Sequence, residues 1–159
     1  MNLQALPEEA LKEILALTEA KNRLDLQERA YDHFMPFAHH VYENFIEGAH
    51  HRVIAKKLEA VARGECKRLI INMPPRHSKS EFASYLMPAW FLGRNPKLKI
   101  IQATHNTELA VRFGRKVRDL IDDPAYKEIF PETNLKEDNK GAGKWGTDKG
   151  AEYFAAGVG

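Results

Sequence analysis

The spacing of apolar residues changes once along this chain, around residues 64–68, and that change limits the folds open to it. Before it, the spacing is helical. Pro7-Glu8-Glu9 opens a helix with proline early and acids in the first turn, and Leu11, Ile14, Leu15 and Thr18 follow at helical intervals. A second helix is predicted from about Asp25 to Met35, interrupted by Pro36. In a third, over residues 48–63, Ile54, Leu58 and Val61 share one face, and Gly64 stands where a C-terminal cap glycine belongs. After it comes Arg68-Leu-Ile-Ile-Asn-Met, a short β-branched run bounded by charge and by Pro74-Pro75, which is the pattern of a buried strand.

The rest of the chain alternates. Residues 79–92 read as a helix containing Pro88, whose missing N–H predicts a bend near Ser84. Lys99-Ile-Ile-Gln-Ala is a second short strand. Asn106 can cap a helix in which Leu109, Phe113, Val117, Leu120 and Ile121 form one stripe that ends before Pro124. Strand, loop, helix, strand, helix is the order of an α/β fold with parallel strands. Residues 132–150 are polar and glycine-rich, so they read as a connection, and residues 151–156 resume an apolar strand. The expected organisation is a helical segment over residues 1–65 followed by an α/β unit over residues 66–159.

Composition narrows the function classes. A 159-residue chain that is 43% hydrophobic can bury one core. Its net charge of +2, from 24 basic and 22 acidic residues, is too balanced to hold a polyanion by bulk electrostatics, so any such contact has to be local. The single cysteine, Cys66, rules out an internal disulfide, suits a reducing compartment, and reads as a small buried residue. No basic n-region precedes an apolar stretch at the N-terminus, and no run approaches the roughly 20 apolar residues that cross a bilayer. A soluble protein that is not exported is expected. The pairs His39-His40 and His50-His51 point in different directions on a helix and have no cysteine or carboxylate at metal spacing, so a metal centre is not expected there. Arg112, Arg115, Lys116 and Arg118 lie opposite the apolar stripe of their helix. They read first as a solvated face and second as a track for a DNA backbone.

The segment with chemistry is Met73-Pro-Pro-Arg-His-Ser-Lys-Ser, between the first strand and its helix. Lys79 and Ser80 match the Lys-Ser ending of the phosphate-loop pattern G-x-x-x-x-G-K-[ST], but Met73 and Ser78 fill both glycine positions. The mechanism can survive that mismatch. It needs backbone N–H groups around phosphate oxygens, a lysine reaching the β/γ-phosphates, and a hydroxyl on Mg²⁺. Lys79, Ser80 and the start of the following helix offer these parts. Ser78 can replace glycine only if its backbone takes an angle open to a non-glycine residue. Arg76 and His77 add positive charge where the helix dipole is already positive, which favours a bound anion over an ordinary basic turn.

Taken with the blocks that follow it, this segment resembles the large terminase subunits of tailed phages and prophages. The run Arg-Leu-Ile-Ile-Asn-Met-Pro-Pro-Arg-His-Ser-Lys-Ser-Glu over residues 68–81 is similar to their variant Walker A region. Pro-Ala-Trp and Leu-Gly-Arg-Asn-Pro within residues 82–96, then residues 100–106, Val117-Arg118 through Tyr126 to Phe130-Pro131, Trp145-Gly-Thr and the terminal Gly-Val-Gly follow in the family's order. The likeness covers about residues 48–159.

The resemblance implies an incomplete P-loop NTPase core of the RecA-like (ASCE) type, preceded by the helical segment. It also implies an ATPase that drives double-stranded DNA into a procapsid, normally fused to a nuclease domain that this chain does not include. On that basis Pro75, Arg76, His77, Ser78, Lys79 and Ser80 would bind ATP, with Lys79 on the β/γ-phosphates and Ser80 holding Mg²⁺ through the nucleotide. Arg76 would stabilise γ-phosphate charge as a catalytic group, in the manner of an arginine finger supplied in cis. His51, or His50 beside it, would fall near the adenine, a solvated histidine being the plainer reading. The implied partners are double-stranded DNA, a small terminase subunit and a portal protein, in a homo-oligomeric ring at the procapsid in the host cytoplasm.

Hydrolysis also needs an acidic residue at the end of a buried strand. Leu120-Ile-Asp-Asp-Pro imitates such a strand, but Arg118 and Asp119 precede it and its period is helical, so Asp122 and Asp123 read as an exposed helix end. In the family the true acidic strand lies beyond the region that the terminal Gly-Val-Gly resembles. The chain alone is therefore expected to be catalytically incomplete, binding nucleotide weakly or not at all and hydrolysing no ATP, with apolar sheet edges left unpaired and a tendency to aggregate. The alternative is a truncated prophage remnant that binds nucleotide or partners without catalysis.

Overall fold

The computed structural model of the chain describes residues 7–158, apart from the side chains of residues 138–140. Residues 1–6 and Gly159, the last of the terminal Gly-Val-Gly, lie outside them. The described residues form a mixed α/β fold with six α-helices, one π-helical turn and a four-stranded sheet.

Helix α1 spans Glu8–Asp32 as one 25-residue rod in place of the two helices predicted there. Nothing between Thr18 and Asp25 breaks helical geometry, so the weak apolar pattern in that stretch marked a lack of packing. The helix is largely solvated until Ala30, where it meets the core. The chain turns at His33, and Pro36 falls in the first turn of α2, Phe34–Val41, where its absent N–H costs no helical bond. Helix α3, Ala49–Ala62, ends as expected at Gly64, whose φ of 75° is the left-handed cap conformation. Cys66 is half-buried, with its thiol donating to the Arg68 carbonyl at 3.3 Å, because the chain here runs over the surface after the cap.

Residues 68–73 alternate as a strand does: Leu69, Ile71 and Met73 are half-buried while Ile70 and Asn72 face out. They nevertheless pair with no strand among the described residues, and Ile70 is 85% exposed. The predicted buried strand is thus an extended edge. A period-2 pattern decides which face is apolar, but a ladder also needs a neighbour. Beyond the loop, the predicted bend becomes a π-helical turn, Glu81–Leu86, leading into α4, Met87–Arg94. Met87 N–H reaches back five residues to the Phe82 carbonyl, and this wider turn takes up the distortion that Pro88 imposes.

Strand β1, Lys99–Thr104, runs parallel to β4, Glu152–Gly157, in the register Ile101 with Phe154. Residues 132–150, read as a connection, contain two further strands, β2 (Leu135–Lys140) and β3 (Lys144–Thr147). Their apolar content is low because the hairpin is held by backbone pairing and by one large anchor. That anchor is Trp145, fully buried, stacked on Tyr153 at 4.8 Å and donating to the Gly114 carbonyl at 3.0 Å. The sheet order is β1-β4-β3-β2, with the last two pairings antiparallel, so the expected parallel sheet is mixed.

Helix α5, Thr107–Ile121, covers one face of this sheet with Ala110, Phe113, Val117, Leu120 and Ile121. As predicted, Asn106 caps it, accepting from Leu109 N–H at 2.8 Å. Gly157 sits against its first turn, where any Cβ would come within 2.4 Å of Thr107. Asp122 closes α5, and Asp123 caps the short α6, Pro124–Ile129, by accepting from Ala125 N–H at 2.8 Å. The Asp-Asp pair is therefore helix-end chemistry. The core joins the helical segment to the α/β part: Phe34 packs on Phe82 and Trp90, Phe37 on Tyr126 and Phe130, and Trp90 donates to the Ala30 carbonyl at 3.0 Å.

Candidate phosphate-binding loop

The loop is built by what lies on either side of it. Residues 69–73 lean on α3, two prolines stiffen the exit, and a helix begins at Lys79, with Phe82 N–H donating to the Ser78 carbonyl at 2.9 Å as its first bond. The N–H groups of Lys79, Ser80 and Glu81 precede that bond and have no acceptor one turn back. Between prolines and helix, Arg76 and Ser78 both take the left-handed conformation, with φ of 63° and 57°. Such angles cost a non-glycine residue on the order of 1–2 kcal/mol each, and they collect where a backbone must curl its N–H groups around something. Ser78 thus sits at an angle that favours glycine, so it stands in for the glycine of the pattern only at that cost.

Residues 73–81 line an open cleft of about 440 Å³. Arg76 and Ser80 are exposed and Lys79 half-exposed. Among the described residues neither Arg76 nor Lys79 has a hydrogen-bond or ion-pair partner, so both cations face the cleft uncompensated. His77 Nδ1 sits 2.9 Å from the Pro75 carbonyl oxygen and donates to it, which fixes the turn. Glu81, the one carboxylate lining the cleft among the described residues, is held by Lys116 Nζ at 3.1 and 3.2 Å from its two oxygens.

Beside the loop, His50, Val53, Ile54, Lys57 and residues 69–73 line a second, more apolar groove of about 320 Å³ that shares Met73 with the first. His51 is not part of it. It is only 5% exposed, stacked on Phe82 and against Phe45, and its Nδ1 accepts Gly48 N–H at 2.9 Å. That bond leaves the ring proton on Nε2, which donates to His50 Nε2 at 3.1 Å. His50 in turn meets His77 of the loop edge-on at 5.6 Å. Of the two predicted histidines, then, His50 faces the groove and His51 positions it. Burial holds the His51 imidazole below its ordinary range, with His50 and His77 pressing the same way and Glu47 opposing them.

Sequence reasoning missed the Lys116–Glu81 bridge, which joins residues 35 positions apart and leaves no local signal. On the rest of that helix face Arg112 and Arg115 are exposed, while Arg118 is bound to Asp119. Among the described residues no group of three or more His, Cys, Asp or Glu side chains is arranged to hold a metal ion. No helix among them is long and apolar enough to cross a membrane.

The chain matches no known family model, no curated protein and no solved structure.

Proposed function

We propose that this chain is a nucleotide-binding unit of a DNA-packaging ATPase of the terminase large-subunit type, with a RecA-like P-loop core. The observation that carries the reading is the loop of residues 73–80. Left-handed Arg76 and Ser78 curl its backbone at a helix N-terminus, and Lys79 and Arg76 stand beside it without partners. A triphosphate with Mg²⁺ suits this donor set. Lys79 would take the β/γ-phosphates, Ser80 would hold the ion, and Arg76 would meet the charge at the γ-phosphate. The groove that ends at His50 would receive the base, with His51 behind it and out of contact. Double-stranded DNA, a small terminase subunit, a portal and a ring of copies in the host cytoplasm belong to the same proposal and rest on the sequence resemblance alone.

One observation favours a narrower second reading, a module that binds nucleotide without hydrolysing it. Among the described residues Glu81 is the sole carboxylate at the cleft and is committed to Lys116, while Asp122 and Asp123 cap helix ends. Water activation has no group there to carry it.

Equilibrium binding of fluorescently labelled ATP with Mg²⁺ tests both readings. The expected result is weak but saturable binding, lost in Lys79→Ala, with no ATP turnover. Absence of Lys79-dependent binding would sink both readings, and turnover that needs Lys79 would exclude the second.

A further inference from the structure

A carboxylate in the first turn steadies a helix that has nothing bound at its N-terminus, because it answers the positive end of the dipole. At a phosphate site the same charge repels the ligand. Glu81 directly follows Ser80, so the loop carries this conflict within three consecutive residues. Lys79 does not resolve it, since residues two apart on a helix do not face each other. The partner comes instead from α5. Lys116 Nζ bridges both oxygens of Glu81 at 3.1 and 3.2 Å and lies 5.0 Å from the centre of the Tyr85 ring, one turn further on. Asp119 and Asp123 add to the negative field around Tyr85, and Arg118 is spent on Asp119, which leaves Lys116 as the cation that meets Glu81.

We propose that Lys116 is a positioning residue of the phosphate loop: by holding the Glu81 carboxylate it keeps that charge from opposing a triphosphate at the loop. The proposal rests on the nucleotide-binding reading and adds to it a residue far away in sequence. Its mark is that the effect of losing Lys116 depends on Glu81. A lysine that merely pins α5 to the loop helix would show no such dependence.

The test uses the whole chain with labelled ATP·Mg²⁺ and, separately, inorganic tripolyphosphate, with circular dichroism reporting the fold of each variant. Lys116→Ala is expected to weaken binding of both probes roughly tenfold at low salt, a loss that shrinks as ionic strength rises. Lys116→Arg keeps the charge and stays within about twofold of the parent. Lys116→Ala combined with Glu81→Gln returns to within about twofold, because the opposing charge is gone. The proposal is overturned if Lys116→Ala binds as the parent does while Lys79→Ala does not, or if the double variant binds as weakly as Lys116→Ala. A parent that binds neither probe in a Lys79-dependent way removes the nucleotide reading itself, and this proposal with it.

Discussion

Ser78 and Tyr153 are both held at a cost, for opposite reasons. Ser78 sits at φ 57° in the loop, where glycine would be unstrained. Ser78→Gly should therefore leave the proposed ATP binding intact and change unfolding free energy by no more than about 1 kcal/mol, relief of strain being offset by the extra freedom of glycine in the unfolded chain. Ser78→Val should weaken binding at least tenfold, since a β-branched residue resists the left-handed region. Binding assays beside urea titrations separate the two effects. Tyr153 is fully buried and its hydroxyl has no hydrogen-bond partner among the described residues. Burial raises its phenol pKa far above the ordinary value, so no ionised form is in play at neutral pH. Tyr153→Phe removes an unsatisfied group while keeping the stack on Trp145, and is expected to stabilise the protein by up to about 1 kcal/mol in the same titrations.

Among the elements, residues 68–73 and β4 give the sharpest contrast. Both alternate apolar and polar faces, but β4 has ladders on both sides and residues 68–73 have none among the described residues. Amide exchange should accordingly be fast at Ile70 and Asn72 and slower by orders of magnitude at Tyr153 and Ala155. Equal protection at the two places would mean that the segment finds a strand to pair with, for example in another copy. This contrast also explains what the residues could announce in advance. The Asn106 cap, the stripe from Phe113 to Ile121, β1 and β4 are written in local periodicity and capping chemistry, and they stand where the pattern put them. Pairing is not local. Nothing in Arg-Leu-Ile-Ile-Asn-Met says whether a neighbour lies alongside, and nothing in a polar stretch with glycines says that Trp145 will anchor a hairpin. At the loop, the Lys-Ser ending and the charge of Arg76 were readable from composition and spacing. The left-handed angles, the retreat of His51 behind His50 and the reach of Lys116 to Glu81 came only with tertiary contact.

At the scale of the whole molecule, the helical segment and the sheet layer share one core, so strain at a histidine near their junction is felt as global stability. Burial holds the His51 imidazole below its ordinary pKa of about 6.5. Above about pH 6.5 it is neutral in the folded and unfolded chain alike and contributes no pH dependence. As pH falls below that value the unfolded chain binds the proton first, so stability drops until the folded pKa is reached and then levels off. Thermal unfolding between about pH 7.5 and pH 5 should show this decline, and His51→Gln should flatten it. The neighbour relation of β1 and β4 governs assembly as well. Lys99 faces Glu152 across more than fifty intervening positions, and those positions include α5, α6 and the whole hairpin. The first strand of the sheet must therefore wait for the last. Until β3 and β4 have come together and α5 has swung over them, Val117 and Tyr153, both fully buried in the fold, are loose apolar surface on a chain still emerging. The slow step of folding is expected to be this closure, and crowding of nascent copies is most hazardous while it is pending.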